Sequence, residues 1–355
     1  MVAIPLPVAI LAATSLHSRQ SPESAPPPAA QGGLPNYYGS VRQVTRSDFP
    51  DPALLYYNGI TYAYSTNSGS GTHIPVATST DNTTFNVLDG KDALPGLAAW
   101  ENGNNVWAPD VVQIFDSATV SQSKFVMYYA SGTLSSKGKY HCIGAATAST
   151  PLGPFVPISD QPFICPNIPT SGGAIDPEGF LDPVTGRRYV AYKQDGNAIG
   201  HGGSCGNGVA PKQVTPIMLQ EVSADDGVTL IGAPQPLLDR DEADGPLIEA
   251  PSLHRSEDGI YFLFYASNCF DSPEYSTSYA TSTNVWGPYV KAQRPLLHTG
   301  NGASVTGPGG LDVPAAGDGL VGFHGRVNPD NTPLVRAAYT ARLVFDGRIV
   351  GFATS

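Results

Sequence analysis

Charged residues, and basic residues above all, are scarce in this chain. Only 14% of its 355 residues are charged, and 19 Lys and Arg stand against 30 Asp and Glu, for a formal net charge of −11. No Lys/Arg cluster and no basic aromatic stripe occurs. Such a chain repels nucleic acids and anionic membranes, so neither is an expected partner. A neutral or non-anionic ligand is expected instead.

Long apolar runs are also missing. No stretch approaches the roughly 20 apolar residues of a membrane-spanning helix. The run from Val2 to Ala13, followed by small residues up to Ser18, predicts a signal peptide over 1–18 and a secreted, extracellular protein. Residues 19–35 are rich in Pro, Ser and Ala and predict a linker or tail. Residues 36–355 are then expected to form one catalytic domain.

Cysteine is limited to four residues, and no Cys-x-x-Cys pair exists, which argues against a zinc site. An export signal makes disulfides more plausible than free thiols. Three pairings are open, and we favour Cys142 with Cys165 and Cys205 with Cys269.

Turn-forming residues are abundant, with 39 Gly and 33 Pro, so apolar strands are interrupted often and an all-β fold is predicted. Short aromatic strands recur five times, in units of roughly 60 residues. Those strands lie at 62–66, 125–129, 189–192, 261–265 and 320–324. About four strands per unit predict a five-bladed β-propeller, because a sandwich would not repeat at this period and a β-helix repeats at a shorter one.

An acidic residue precedes each aromatic strand. These residues are Asp51, Asp110, Asp176, Glu249 and Asp312. In a propeller the innermost strands line a central channel, so acids at corresponding positions should converge on one funnel. Two carboxylates flanking a glycosidic bond can act as acid and base, and a third nearby raises the pKa of the acid. Asp51, Asp176 and Glu249 each have a Pro beside or just after them, which restricts the local backbone, so this trio has the right chemistry for glycoside hydrolysis.

These segments resemble glycoside hydrolase family 43. The landmarks are Asp51-Pro52 before Tyr57-Asn58-Gly59, Trp107-Ala108-Pro109-Asp110-Val111, Ile175-Asp176-Pro177, Glu249-Ala250-Pro251-Ser252 and two Gly-Pro-aromatic turns. The resemblance implies a five-bladed propeller and an inverting hydrolase. It also implies that Asp51 is the general base, Glu249 the general acid and Asp176 the residue that modulates the pKa of the acid.

The resemblance implies a plant cell-wall polysaccharide, such as arabinan or arabinoxylan, as the partner. A long insert between Asp195 and Pro216 could form a wall of the funnel and so favour removal of terminal sugars. This predicts an exo-acting α-L-arabinofuranosidase or β-xylosidase. An endo-1,5-α-L-arabinanase is the alternative, and a catalytically inactive carbohydrate-binding propeller is the alternative from another class. A monomer is the default expectation.

Other residues are candidates for substrate binding or for support of the inner strands. Trp107 and Trp100 could stack on a sugar ring. Asp110 could bind sugar hydroxyls, although support of the inner strand is the favoured role for it and for Asp312. His324 matches a final-blade histidine that faces a central calcium or water cluster in some members of the family. We favour ordinary hydrogen bonds for it, with no cofactor required and a structural calcium as the minor alternative.

Two further features complete the predicted site. Arg326, close to His324, could touch the substrate. The segment Gly202-Gly203-Ser204-Cys205-Gly206 matches a nucleophile elbow in form, but the residues after it cannot begin a convincing helix. It therefore predicts a Gly-rich loop and not an esterase.

Overall fold

The computed structural model describes residues 38–67, 71–115, 123–301, 303–316, 318–328, 330 and 333–354. The predicted signal peptide (1–18) and linker (19–35) lie outside these residues. Within the described part of the chain, no helix has the length and apolar character needed to cross a membrane.

The described residues form five antiparallel sheets, and consecutive strands of the chain lie side by side in each. The first four blades, from the innermost strand outward, consist of β2 to β5, β6 to β9, β10 to β13 and β14 to β17. Their bounds are β2 Ala53–Tyr57, β3 Ile60–Tyr64, β4 Pro75–Ser79, β5 Asn86–Asp92, β6 Glu101–Phe115, β7 Ser123–Thr133, β8 His141–Ala148, β9 Val156–Pro157, β10 Ala174–Leu181, β11 Arg188–Gln194, β12 Ile217–Val222, β13 Leu230–Leu238, β14 Ile248–Arg255, β15 Tyr261–Ser267, β16 Ser276–Ser282 and β17 Val290–Lys291.

The fifth blade joins the two ends of the described chain. Its strands are β18 (Thr306–Asp312), β19 (Leu320–Arg326) and β20 (Arg336–Asp346), and its fourth strand is β1 (Arg42–Gln43), which pairs with β20. A short β21 (Ile349–Phe352) pairs with the far half of β20. The ring is therefore closed by backbone hydrogen bonds, which removes the free edge that an open fifth sheet would expose.

The predicted aromatic strands fall on the second strand of each blade, which confirms the five-bladed reading of the repeat. The hairpin predicted at Asn58-Gly59 also forms, since both residues have positive φ, +51° and +79°, as a tight turn requires. Among the described residues, helical structure is limited to the short α1 (Ile168–Ser171) and to 3-10 turns at Tyr38–Ser40, Leu134–Ser136, Gly196–Ile199 and Glu242–Asp244.

Apolar side chains pack in the seams between neighbouring blades. Phe125 and Met127 of β7 pack with Tyr62 and Tyr64 of β3, and equivalent clusters occupy the other four seams. Burial at roughly 25 cal/mol per Å² of apolar surface makes these seams the main source of stability. The inner strands are thereby held in a ring.

Both disulfides that we favoured are present, Cys142–Cys165 and Cys205–Cys269. The first joins β8 to the segment that precedes α1. The second joins the insert that follows β11 to the loop that follows β15, and so links the third and fourth blades.

Candidate active site

A two-residue irregularity recurs near the beginning of the inner strands. The pairing of β6, β10, β14 and β18 with the second strand of its blade shifts register there. In each case two residues stand opposite one residue of the partner strand, and the first of the two has positive φ, as does Asp51 two residues ahead of β2. These left-handed residues are Asp51, Ala108, Asp176, Ala250 and Gly310. A proline follows four of them, at 52, 109, 177 and 251. This conformation costs an L-residue about 1–2 kcal/mol.

The bulge shows that the five predicted acids do not occupy corresponding positions, as we had expected. Asp51 and Asp176 are the left-handed residues themselves, and Glu249 comes one residue earlier. Asp110 and Asp312 come two residues later, beyond the bulge. Because a strand turns successive side chains to different sides, one residue of offset sends a carboxylate in another direction. Asp51, Asp110, Asp176 and Asp312 nevertheless converge on one axial channel, and Glu249 lines the wider pocket beside it, which Asp51 and Asp176 also line.

Three of the acids meet in one pocket of about 520 Å³. Asp51, Asp176 and Glu249 all line it, together with Trp107. Each comes from a different blade, which explains why residues nearly 200 positions apart can act on one ligand. The predicted catalytic trio is thus brought together, while its chemical roles remain to be tested.

Asp51 is held in its charged form. Its Oδ2 accepts a hydrogen bond from Thr66 Oγ1 at 2.7 Å, and its Oδ1 lies 3.4 Å from the Arg336 guanidinium. Burial opposes the charge, but Arg336, His324 and Thr66 together lower the pKa of Asp51 well below its usual range. An ionised carboxylate beside a pocket is the state that a general base requires.

Asp176 and Glu249 form a contrasting pair. Burial and the neighbouring Glu249 raise the pKa of Asp176 well above its usual range, and Asp176 Oδ2 accepts a hydrogen bond from the Ala250 N–H at 3.0 Å. Glu249 accepts hydrogen bonds on both oxygens, from Lys193 Nζ and from Tyr275 Oη, each at 2.9 Å. The charge of Glu249 therefore favours the protonated form of Asp176.

One wall of the pocket is aromatic and polar. Trp107 stacks on His141 with ring centroids 3.7 Å apart, and burial lowers the pKa of His141 to about 4, so the ring is neutral at neutral pH. His141 Nε2, Asp195 Oδ1 and Asn197 Oδ1 are buried and have no hydrogen-bond partner, although Asp195 Oδ1 forms an ion pair. Buried polar atoms of this kind need a partner, and sugar hydroxyls or water can supply it.

The insert after Asp195 forms another wall, as predicted. Asn197, Ser204 and Cys205 belong to it and line the pocket. Phe270, directly after Cys269, lies in the wall too, with the Arg336 guanidinium 5.0 Å from its ring. The Cys205–Cys269 disulfide therefore ties two walls together. Residues 202–206 run through turns and bends and not into a helix, so the loop reading is confirmed.

The remaining acids lie in a narrower channel on the axis. Asp110 Oδ2 accepts the Gly179 N–H at 2.7 Å, and Asp312 Oδ2 accepts the Leu54 N–H at 2.7 Å. Each hydrogen bond crosses to the next blade. Asp110 lines the axial channel and not the wider pocket, so its contacts are those of the supporting role that we favoured and not those of a sugar-binding residue.

The same bridging contact links other blades through residues that the sequence did not reveal. Glu178 Oε1 accepts the Leu253 N–H at 3.3 Å, and Ser252 Oγ accepts the Val313 N–H at 3.0 Å. Both lie two residues after the left-handed position. Aligning the repeats on the proline of the bulge, and not on the acids, would have identified them.

His324 is fully buried, and the backbone N–H of Asp51 donates to its Nδ1 at 3.1 Å. Burial lowers the pKa of His324, and its Nδ1 also lies 3.2 Å from Asp51 Oδ1. Its Nε2 is buried and has no hydrogen-bond partner among the described residues. The contacts of Nδ1 are the ordinary hydrogen bonds that we favoured.

Two predicted substrate contacts fall outside the pocket. Arg326 is buried, with its NH1 group directed at the backbone oxygen of Asp271, and neither it nor Trp100 lines the pocket. Arg336, ten residues later, occupies the place expected for Arg326. The sequence also missed Lys193, which follows the aromatic strand of the third blade.

The sequence model of the protein family described as "Glycosyl hydrolases family 43" matches residues 42–347 of this chain. An arabinoxylan arabinofuranohydrolase of Bacillus subtilis (strain 168) is 26% identical over 274 residues, 68% of this chain. This chain spans about half of that relative, 48% of its length. A probable arabinan endo-1,5-alpha-L-arabinosidase D of Emericella nidulans is 25% identical over 74% of this chain and 68% of its own length.

Solved structures share the fold. The crystal structure of a thermostable family-43 glycoside hydrolase has a TM-score of 0.69 at 24% identity and covers 87% of this chain and 94% of its own. A native arabinanase of Bacillus subtilis has a TM-score of 0.65 at 18% identity, over 87% of this chain and 98% of its own. With the family model spanning all five blades, the chain belongs to glycosyl hydrolases family 43.

Proposed function

We propose that this protein is an inverting, exo-acting glycoside hydrolase that removes terminal α-L-arabinofuranosyl or β-xylosyl units from plant cell-wall polysaccharide. The observation that carries the proposal is the meeting of Asp51, Asp176 and Glu249 in one pocket that also presents Trp107. The family and the names of the relatives, an arabinofuranohydrolase and a probable endo-arabinosidase, support the substrate class.

In the proposed reaction Asp51 takes a proton from a water molecule whose oxygen attacks the anomeric carbon. Glu249 gives its proton to the glycosidic oxygen as the bond between that oxygen and the anomeric carbon breaks. The sugar leaves with inverted configuration. A charge on Asp176 would favour the protonated form of the acid through like-charge repulsion, and the raised pKa of Asp176 reflects the same repulsion.

The exo preference rests on the walls of the pocket. The insert after Asp195, tied by the Cys205–Cys269 disulfide, stands beside the catalytic trio and would block a chain from passing through. His141 and Asn197 in the walls could receive the hydroxyls of a terminal sugar. An endo-1,5-α-L-arabinanase is the second candidate, favoured by the name of the Emericella relative.

We further propose that the protein acts outside the cell and as a monomer. Two disulfides in one domain support the extracellular site, because such bonds persist in oxidising compartments. Detection of the protein in the medium of the cells that make it, and its mass in solution, would test these two points.

The function is tested by hydrolysis of aryl α-L-arabinofuranoside, aryl β-D-xyloside and linear arabinan by the wild type and by Glu249→Gln. Turnover of an aryl glycoside that is lost in the variant supports the exo enzyme. Release of oligosaccharides from arabinan, without aryl turnover, would favour the endo enzyme. Binding of arabinan without any hydrolysis would indicate the inactive carbohydrate-binding propeller.

A further inference from the structure

A lysine lies buried beside the proposed general acid. Lys193, near the end of β11, has no exposed side-chain surface. Its Nζ is 2.9 Å from Glu249 Oε2 and 3.1 Å from Asp195 Oδ1. Burial alone would lower the pKa of Lys193, but the charges of Glu249 and Asp195 raise it. The lysine is therefore a fixed positive charge inside the site.

The groups around Glu249 have opposite electrostatic effects on its carboxylate. Asp176 repels its charge, and Asp195 partly neutralises the lysine that attracts it. Tyr275 donates to its second oxygen at 2.9 Å. The other charged or titratable groups that line the pocket are Asp51, Arg336, Lys139 and His141. Asp51 pairs with Arg336 and with the buried His324.

This arrangement presents a conflict for acid catalysis. Both oxygens of Glu249 accept hydrogen bonds, one of them from a cation, and such bonds favour the ionised carboxylate. A general acid must carry its proton before it can give it to the leaving oxygen. A cation beside the acid therefore restricts the pH range in which the protonated form is populated.

We propose that Lys193 is a positioning residue that aligns Glu249 and sets the upper pH limit of activity, with Asp195 as the counter-charge that moderates it. This inference rests on the proposed function, because it assigns the acid role to Glu249. In this role the Lys193 side chain does not bind the sugar. It acts only through the carboxylate that it holds.

Two substitutions should move the alkaline limb of the kcat/KM profile in opposite directions. Lys193→Met removes the positive charge at similar volume, so Glu249 keeps its proton to higher pH, by about one pH unit or more. The ratio of kcat/KM at pH 8 to that at pH 5 should then rise about tenfold or more. Asp195→Asn leaves the lysine uncompensated, and the limb should move to lower pH by a smaller amount.

The experiment measures kcat/KM of the wild type and both variants on the best aryl glycoside from pH 4 to 9, with thermal unfolding as a check of folding. A purely structural role would lower activity in both variants and leave the limb in place, and that result overturns the proposal. If Lys193→Met does not fold, the downward shift in Asp195→Asn decides, and an unshifted limb there is equally fatal.

A second readout does not depend on turnover. The Glu249 carboxyl carbon can be followed by NMR in protein labelled with carbon-13 at glutamate, with the resonance assigned by its loss in Glu249→Gln. Titration at higher pH in Lys193→Met and at lower pH in Asp195→Asn supports the inference, and equal titration in all three proteins refutes it. An inactive wild type would reject the proposed function while this measurement still decides the role of Lys193.

Discussion

The wide pocket and the narrow axial channel use the same building unit for different purposes. Both are lined by acidic side chains from the bulged starts of inner strands. In the pocket, Asp51 and Glu249 pair with the cations Arg336 and Lys193. In the channel, carboxyls accept backbone N–H groups of the next blade. The comparison shows that an acid in a propeller centre can pair with a cation or hold the next blade through a backbone N–H, and Asp176, which lines both cavities, makes the second contact.

The largest expected effect is on kcat/KM, which should fall on substitution of the pocket acids Asp51 and Glu249 but not of the channel acid Asp312. Asp51→Asn and Glu249→Gln should each lower kcat/KM about 10²- to 10⁴-fold, because each removes a proton-transfer group and little volume. The matched channel change, Asp312→Asn, should leave kcat/KM close to the wild-type value. Steady-state kinetics on an aryl glycoside measures all three. A comparable loss in Asp312→Asn would show that the channel takes part in catalysis.

Sugar stacking distinguishes the two tryptophans. Trp107→Ala should raise KM about two- to tenfold, since one stacked aromatic contact contributes roughly 0.5–1.5 kcal/mol beyond its buried area. Trp100→Ala is the control and should leave KM unchanged, because Trp100 does not line the pocket. Substrate-saturation curves for both variants measure the effect. Equal KM changes would remove Trp107 from the binding site.

Stability should respond to the hydrogen bonds that bridge neighbouring blades. Ser252→Ala leaves the buried Val313 N–H without its acceptor, which should lower the free energy of unfolding by about 1–3 kcal/mol. Chemical denaturation measures this cost. Ser252→Thr keeps the hydroxyl and is the matched control. If Ser252→Ala unfolds at the wild-type denaturant concentration, the bridges between blades do not stabilise the ring.

The smallest expected effect concerns folding stability, to which Asp110 and Asp51 should contribute with opposite pH dependences. Burial raises the pKa of Asp110 to about 6, so the folded state binds the extra proton and this stabilisation is lost as pH rises from about 4 to about 6. Asp51 has a lowered pKa, so its contribution is present above about pH 4 and is lost as pH falls.

Melting temperatures between pH 3 and pH 7 test this pair. Relative to the wild type, Asp110→Asn should gain stability as pH rises through 4 to 6, and Asp51→Asn should gain stability as pH falls. If the melting temperatures of the two variants, relative to the wild type, changed with pH in the same direction, the different environments of the two carboxyls would be contradicted.

Much of the fold was predictable because local signals repeat. Short segments of the sequence encode the aromatic second strands and the Asn58-Gly59 turn. Five copies of such a unit leave few alternatives to a propeller. The trio Asp51, Asp176 and Glu249 was predicted from its flanking prolines and the family pattern. Arg336 and Lys193 were not predicted, because nothing near them in sequence indicates that closure of the ring and pairing within the third blade carry them to those acids.

The sequence by itself determined the number of blades, the hairpins and the identity of the acids, since these depend on periodicity and on short-range backbone preferences. Only the tertiary structure decided that Glu249 lines the pocket, that Asp110 and Asp312 line the channel, and that Asp51 and Asp176 line both. The physical reason is that these positions depend on how the bulged inner strands of different blades are brought together around the axis. The partners that then charge or neutralise each carboxyl come from other strands and blades, up to 285 residues away.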